Sequence, residues 1–244
     1  MPREGPRADL EGRSAPTMTS DPSEDGRDLR RAILDQARSL LLESGHTGLT
    51  MRRIAGAIGC TPTAIYLYFR DKDALLHALI DEGLERLHGA LQETARETPD
   101  PVERVEALCR RYVAFGLENP EYYEVMFTLR PRRMERYPAE KYRRGRRSLE
   151  VFAESLAEAH ARGRMEAPDP LLAASVVWSG LHGAVELLSA RRLDQSIDRS
   201  AFVEAAVHHA CRGVTAPADA DPQPGPAARA GASAQTTTLA REEP

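Results

Sequence analysis

Apolar residues recur every three or four positions through most of residues 27–213, and this helical spacing is the strongest constraint on the fold. The segment 29–43 is typical, because its apolar residues at 29, 33, 34, 37, 40 and 41 share one helical face. The alternation of β-branched and polar residues that marks strands is absent from the sequence. The spacing therefore predicts an all-α fold.

Start and stop signals divide this pattern into elements. Thr61, Asp100 and Asp169 each stand directly before a proline, the arrangement of an N-cap followed by proline at the first helical position. Glycine and proline breaks supply most of the remaining boundaries. We predict nine helices, at about 29–43, 51–58, 62–68, 72–93, 101–118, 121–129, 139–162, 170–191 and 199–212.

Residues 1–26 and 214–244 differ in composition from the middle of the chain, because they are rich in small, polar and proline residues. Segments with so little apolar surface do not offset the entropy lost on folding. Both tails are predicted to be disordered.

The cysteines and the apolar runs indicate the cellular compartment of the protein. Cys60, Cys109 and Cys211 are an odd number at wide spacing, which indicates neither a disulfide framework nor a metal-ligand pair. The first twenty residues have no apolar core of a signal peptide, and no run of 18 uninterrupted apolar residues occurs. We therefore expect a cytoplasmic protein with no membrane partner.

The net charge of −4, from 33 Lys plus Arg and 37 Asp plus Glu, first argues against a nucleic-acid binder. The distribution of charge reverses that argument. Residues 27–70 carry +4, whereas the two tails carry −3 and −2. A basic N-terminal segment therefore stands between acidic ones.

Residues 49–69, LTMRRIAGAIGCTPTAIYLYF, have the pattern helix, glycine turn, short helix. This pattern is typical of a helix-turn-helix, whose second helix enters the major groove of DNA. Several residues in or just after this segment have helix-capping, cationic or hydroxyl groups suited to phosphate contact. They are Thr50, Arg52, Arg53, Thr61, Tyr66, Tyr68 and Lys72. The alternative interpretation is an ordinary helical corner in which Tyr66 is a core aromatic residue.

A run of matching positions resembles the TetR family of bacterial one-component repressors. These positions are Thr50, Ile54-Ala55, Gly59, Thr61, Ile65-Tyr66, Tyr68-Phe69, Lys72 and Leu75. The resemblance implies a three-helix DNA-binding domain at 27–72 and a ligand-binding and dimerisation domain at 73–213. It also implies phosphate contacts from Thr50, Thr61, Tyr66, Tyr68 and Lys72.

The same resemblance places Thr61, Pro62, Thr63 and Leu67 of the recognition helix against base edges. Ile58, Cys60, Pro62 and Thr63 depart from residues that are common in the family, so the operator sequence is not assigned. None of the four recognition residues is a bidentate base reader. Contact with thymine methyl groups, or recognition of DNA shape, would then supply the specificity.

Residues 171–191 are apolar nearly all round, which predicts a helix buried on most sides. Ser175, Ser179 and Gly183 recur every four residues and favour close helix approach. Small residues also mark 199–212. We expect these two helices to form a four-helix bundle with a second copy, giving a homodimer.

Trp178 and His182, with Asn119-Pro120 and Met126-Phe127 upstream, resemble a TetR subgroup with a WHG-type C-terminal domain. Inward-facing residues give the ligand-binding candidates: Cys109, Tyr112, Val113, Phe115, Met126, Phe127, Phe152, Trp178 and His182. The alternative interpretation is that each of these residues is an ordinary core residue with no ligand role. For His182 the alternative is a core or interface histidine whose hydrogen bonds are satisfied within the protein. His182 and Glu186 alone are too few ligands for a metal, so no cofactor or metal is predicted.

Residues 130–147 hold nine basic side chains against Glu135 and Glu140. This segment is either a solvated helix start or a docking patch for the phosphate or carboxylate of a ligand.

The sequence has no glycine-rich phosphate loop, nucleophile elbow or H-E-x-x-H motif, so we do not expect an enzyme. We expect a dimeric repressor that releases operator DNA when a small, mostly apolar effector binds. A helical adaptor without a DNA role, or a small-molecule enzyme, is the alternative.

Overall fold

The computed structural model of the chain describes residues 22–128 and 139–214. Its helices are α1 (Pro22–Gly48), α2 (Met51–Ile58), α3 (Pro62–Tyr66), α4 (Lys72–Glu97), α5 (Pro101–Glu118), α6 (Pro120–Tyr123), α7 (Ala139–Ala161), α8 (Pro170–Ser189) and α9 (Arg199–Arg212). A π-helical segment, Glu124–Thr128, continues α6. The described residues contain no strand, so the predicted all-α fold with nine helices is confirmed.

Both predicted tails are too long at their inner ends. α1 begins at Pro22, so residues 22–26 of the predicted disordered tail are helical. Proline at the first position and acidic residues in the first turn favour a helix start there. Val214 is buried, and its carbonyl accepts a 2.7 Å hydrogen bond from the Glu166 amide, so the second tail cannot begin at 214. Residues 1–21 and 215–244 lie outside the described part.

Side-chain caps set the helix starts. The hydroxyls of Thr50 and Thr61 and the carboxylates of Asp71 and Asp169 each accept a backbone N–H from the first turn. The Asp198 carboxylate caps α9 by accepting from the Ala201 amide. Each such cap contributes about 1 kcal/mol to helix stability. Because capping is a local interaction, it could be predicted from the sequence.

The helices form two compact units, which meet in the chain at Arg70 and Asp71. In the first unit α2 packs against α1 and α3. Its core includes Ile33, Ala37, Ile54 and Ile65, and the Arg30 guanidinium lies 5.3 Å from the centre of the Phe69 ring. The predicted domain boundary, between residues 72 and 73, lies two residues further along the chain.

In the second unit α5 packs against α4, α7, α8 and α9. Leu91, Leu108, Leu156 and Leu181 of its core are fully buried. Gly116 of α5 permits a close approach, since a Cβ there would lie 2.7 Å from Val185 Cγ1. This contact brings Val185 of α8 against the C-terminal end of α5.

By length and composition α8 is apolar enough to cross a membrane, although the sequence has no run of 18 uninterrupted apolar residues. Its inner residues Val177, Leu181 and Val185 belong to the core of the second unit. Burial of this kind accounts for the apolar residues on the inner side of the helix.

Candidate DNA-binding and effector sites

The first candidate site is built by α2, α3 and the turn between them. Gly59 ends α2 in the left-handed region at φ 73°, and the Cys60 amide then donates to the Ala55 carbonyl at 3.0 Å. Ile54 and Ile65 are fully buried and hold the two helices together. The turn thus fixes α3 with one face inward and one face open.

The open face of α3 carries the predicted recognition residues. Thr61, Pro62 and Thr63 are exposed, Tyr66 is 51% exposed and Leu67 is 81% exposed. The alternative that Tyr66 is a core aromatic residue is therefore wrong. The exposure of a leucine beside a tyrosine has no packing explanation within the described part of the first unit.

Two threonines mark the helix starts beside this face. Thr50 Oγ1 accepts from the Arg53 amide and Thr61 Oγ1 from the Ala64 amide, both at 3.2 Å. Their side chains are exposed, so the N-termini of α2 and α3 are accessible. Helix N-termini favour phosphate through their free N–H groups and the helix dipole.

The two arginines of α2 differ in their surroundings. Arg52 is exposed. Arg53 Nη1 donates to Ser44 Oγ at 2.8 Å and to the Gly48 carbonyl at 2.7 Å. Arg53 therefore ties α2 to the end of α1, a structural role that the sequence pattern did not indicate.

Tyr68 and Lys72 are half-buried. Lys72 is the first residue of α4 and belongs to the second unit. Burial lowers the pKa of its ammonium group, against the opposing charge of Asp73. Their predicted phosphate contacts stay predictions.

The second candidate site is an aromatic cluster of Tyr112, Tyr123, Phe127, Trp178 and His182. Trp178 Nε1 donates to the Tyr112 hydroxyl at 2.9 Å, and the Tyr112 and Tyr123 hydroxyls are 3.1 Å apart. The Tyr123 hydroxyl is hydrogen-bonded to His182 Nδ1. Helices α5 and α6 and the π-helical segment thus each contribute one ring, and α8 contributes two.

Ring contacts join the same residues. The Tyr123 and Phe127 centroids are 4.9 Å apart, those of Trp178 and His182 are 5.2 Å apart, and those of Phe127 and His182 are 5.3 Å apart. These distances lie in the range in which aromatic pairs stabilise a fold beyond their buried area.

The aromatic cluster is electrically neutral near pH 7. Burial raises the pKa of Tyr112 to about 12 and raises that of Tyr123 further. Burial also lowers the pKa of His182, although the Glu186 carboxylate opposes this shift. Two phenols and a neutral imidazole provide hydrogen-bond donors and acceptors without a net charge, which suits an uncharged polar group on an otherwise apolar molecule.

The other ligand-binding candidates lie in or against the same core as Tyr112 and Tyr123. Val113, Phe115 and Phe152 are buried in the core of the second unit, and Met126 faces Gly83 of α4. Cys109 contacts Cys211 of α9. The spacing did not single out Tyr123, although it precedes Phe127 by one helical turn, and that spacing could have found it.

The basic segment is described only in part. Residues 129–138 lie outside the described ranges. Arg146 pairs with Glu150 at 3.1 Å, and Arg147 pairs with Glu85 at 3.3 Å. These two cations are thus balanced within the unit, and the predicted anionic docking patch stays untested.

The outer side of α8 has an apolar surface, which we call the open face of α8 to distinguish it from that of α3. Leu172, Val176 and Leu187 are 61%, 60% and 41% exposed. Ser179, Gly180 and Gly183 are exposed between them. The small residues leave this face flat, which permits close approach of another helix.

Two family models match the chain. The model for bacterial regulatory proteins of the tetR family matches residues 33–79, and the model for the tetracyclin repressor-like C-terminal domain matches residues 105–210. Together these ranges cover more than half of the chain.

Individual proteins are similar to parts or most of the chain. An HTH-type transcriptional repressor of Mycobacterium tuberculosis is 50% identical over 58 residues, 24% of this chain and 31% of that protein. The match thus spans less than a third of that relative's length. A protein of unknown function from Rhodococcus sp. RHA1 has a solved structure that matches with a TM-score of 0.68 at 28% identity, covering 83% of this chain and 100% of that one. A TetR/AcrR family regulator from Thermobifida fusca matches with a TM-score of 0.59 at 26% identity, covering 76% and 98%.

Proposed function

Because the chain belongs to the TetR family of transcriptional regulators and carries its helix-turn-helix domain, we propose that it is a dimeric repressor that releases operator DNA on binding a small effector. It acts in the cytoplasm, where bacterial DNA lies. The observation that carries the proposal is the open face of α3, on which Thr63, Tyr66 and Leu67 are exposed together.

In DNA binding, the residues of the first unit divide into two roles. The hydroxyls of Thr50, Thr61 and Tyr66 contact phosphates and fix the position of α3 on the duplex. Thr63 and Leu67 present methyl groups to base edges in the major groove, where the thymine methyl is the apolar feature.

Dimerisation follows from the open face of α8. Leu172, Val176 and Leu187 would remain in water in a single copy. Pairing of α8 and α9 with the same helices of a second copy covers them in a four-helix bundle. A dimer of this kind provides two recognition helices, as a two-fold symmetric operator requires.

The effector binds beside the aromatic cluster. An apolar molecule carrying a carbonyl, hydroxyl or amide group could replace one of the hydrogen bonds among Tyr112, Tyr123 and His182. An effector controls DNA only through its different affinity for the DNA-competent and DNA-incompetent states, typically about 1–3 kcal/mol.

A gel-shift titration over a panel of operator variants tests the DNA-binding role. Operators are first selected from fragmented genomic DNA with the full-length protein. Tyr66→Phe removes a phosphate contact and should weaken all operators about equally. Thr63→Ala removes a base contact and should change the ranking of the operators.

Thr94→Ala, on α4 in the second unit, is the matched control and should leave both affinity and ranking unchanged. If neither Tyr66→Phe nor Thr63→Ala alters any affinity, the proposed interface is wrong. Failure to select any operator would favour the adaptor, and chemical conversion of a bound small molecule would favour the enzyme.

A further inference from the structure

The second unit brings two of the three cysteines of the chain together. Cys109 Sγ of α5 lies 3.9 Å from Cys211 Sγ of α9, although 102 positions separate them. Cys109 is fully buried, whereas Cys211 is half-buried at the edge of the core. The two thiols therefore form a contact with one inner and one outer member.

The surroundings of the two sulfur atoms make them chemically unequal. The contact lowers the pKa of Cys211, because the Cys109 thiol can donate a hydrogen bond to a Cys211 thiolate. The same contact, together with burial, raises the pKa of Cys109. Cys211 is thus both the more acidic and the more accessible thiol, the two properties of a reactive cysteine.

We propose that Cys109 and Cys211 are a peroxide-sensitive thiol pair, which oxidation converts into a disulfide that joins α9 to α5. The Cys211 thiolate attacks one oxygen of hydrogen peroxide, the O–O bond breaks, and Cys211 sulfenic acid and hydroxide form. Cys109 gives its proton to that hydroxide, and its sulfur then attacks the sulfenic sulfur. The S–S bond forms as the S–O bond breaks, and the departing hydroxide takes up a proton. Two thiols and one peroxide thus yield one disulfide and two waters.

Closure of the bond requires only a small movement. A disulfide bond is about 2.05 Å long, so the sulfur atoms must approach by about 1.9 Å from their present 3.9 Å. The ion pair between Arg110 of α5 and Glu204 of α9 already holds the two helices side by side.

A metal does not explain the pair. Thiolate metal sites in proteins need further ligands beyond two sulfurs. Across residues 22–128 and 139–214, no group of three or more His, Cys, Asp and Glu side chains is placed to hold a metal ion. Formation of a disulfide, in contrast, requires no protein group beyond the two thiols.

The test is disulfide mapping of the full-length chain. The reduced protein is treated with hydrogen peroxide, free thiols are alkylated, and the protein is digested with trypsin without reduction. The expected product links peptide 105–110, VEALCR, to peptide 200–212, SAFVEAAVHHACR, with a mass two hydrogen atoms below their sum. Dithiothreitol should separate the two peptides.

Variants assign the two roles. Cys60→Ser is the matched control and should form the link as the unaltered chain does. In Cys109→Ser, Cys211 should accumulate as a sulfenic acid that dimedone traps, whereas in Cys211→Ser the buried Cys109 should resist oxidation. Circular dichroism checks that each variant is folded. A link between two copies, oxidation of Cys60 alone, or no link in the unaltered chain would overturn the proposal.

Discussion

At the scale of single residues, His88 of α4 is the least satisfied polar group in the described core. It is 5% exposed, and neither ring nitrogen has a hydrogen-bond partner among the described residues. An unsatisfied polar group in the interior costs about 1–3 kcal/mol, which an apolar side chain of similar size avoids. We expect His88→Leu to raise the free energy of unfolding by about 1 kcal/mol at pH 7 in urea denaturation.

The benefit of this substitution should increase at lower pH. Burial, with a further contribution from Arg147, lowers the pKa of His88 in the folded state. As the pH falls below about 6.5, the unfolded chain therefore takes up a proton before the folded one does, and stability decreases. His88→Leu should flatten this decrease, whereas His209→Leu at an exposed position should not. A loss of stability at pH 7 would show that a bound water or ligand satisfies the ring.

At the scale of elements, we expect the open face of α8 to determine the oligomeric state. Val176→Glu places a charge in the centre of the proposed dimer contact, where it would lose its hydration. We expect a monomer by size-exclusion chromatography with light scattering. Operator affinity should fall by roughly 100-fold, because two linked recognition helices bind far more tightly than one.

The matched control for this prediction is Leu42→Glu on α1. Leu42 is exposed to a similar degree, at 58% against 60% for Val176. The Leu42→Glu substitution should leave the dimer intact. A Val176→Glu protein that remains dimeric would place the subunit contact on another surface.

At the scale of the whole molecule, the two units should unfold separately. Ile54→Ala empties part of the core of the first unit and should cost about 2–5 kcal/mol there. The only tryptophan of the chain, Trp178, lies in the second unit and reports on that unit alone. We expect circular dichroism to show an earlier helix loss in urea, whereas the midpoint of tryptophan fluorescence stays unchanged.

Leu156→Ala in the core of the second unit is the reciprocal substitution. It should move the midpoint of tryptophan fluorescence to a lower urea concentration. Movement of that midpoint by Ile54→Ala would mean that the two units unfold as one.

What could be predicted from the sequence was local. Caps such as Thr50 and Asp169 act within three residues, and the apolar faces follow a period of one helical turn. Interactions between distant residues could not be read in this way. The contact of Cys109 with Cys211 spans 102 positions, and Tyr123 meets His182 across 59. The helical residues 22–26 were missed because their composition is that of a linker.

The π-helical segment Glu124–Thr128 has a consequence for the history of the chain. An α-helix has 3.6 residues per turn, and a π turn accommodates one residue more. Gain or loss of one codon is thus the simplest route between the two forms. Because the wide turn absorbs that residue, its removal would leave the chain after the segment in register and change the faces only within it, where Phe127 meets Trp178. Homologues that are one residue shorter here should therefore carry a different residue opposite the indole.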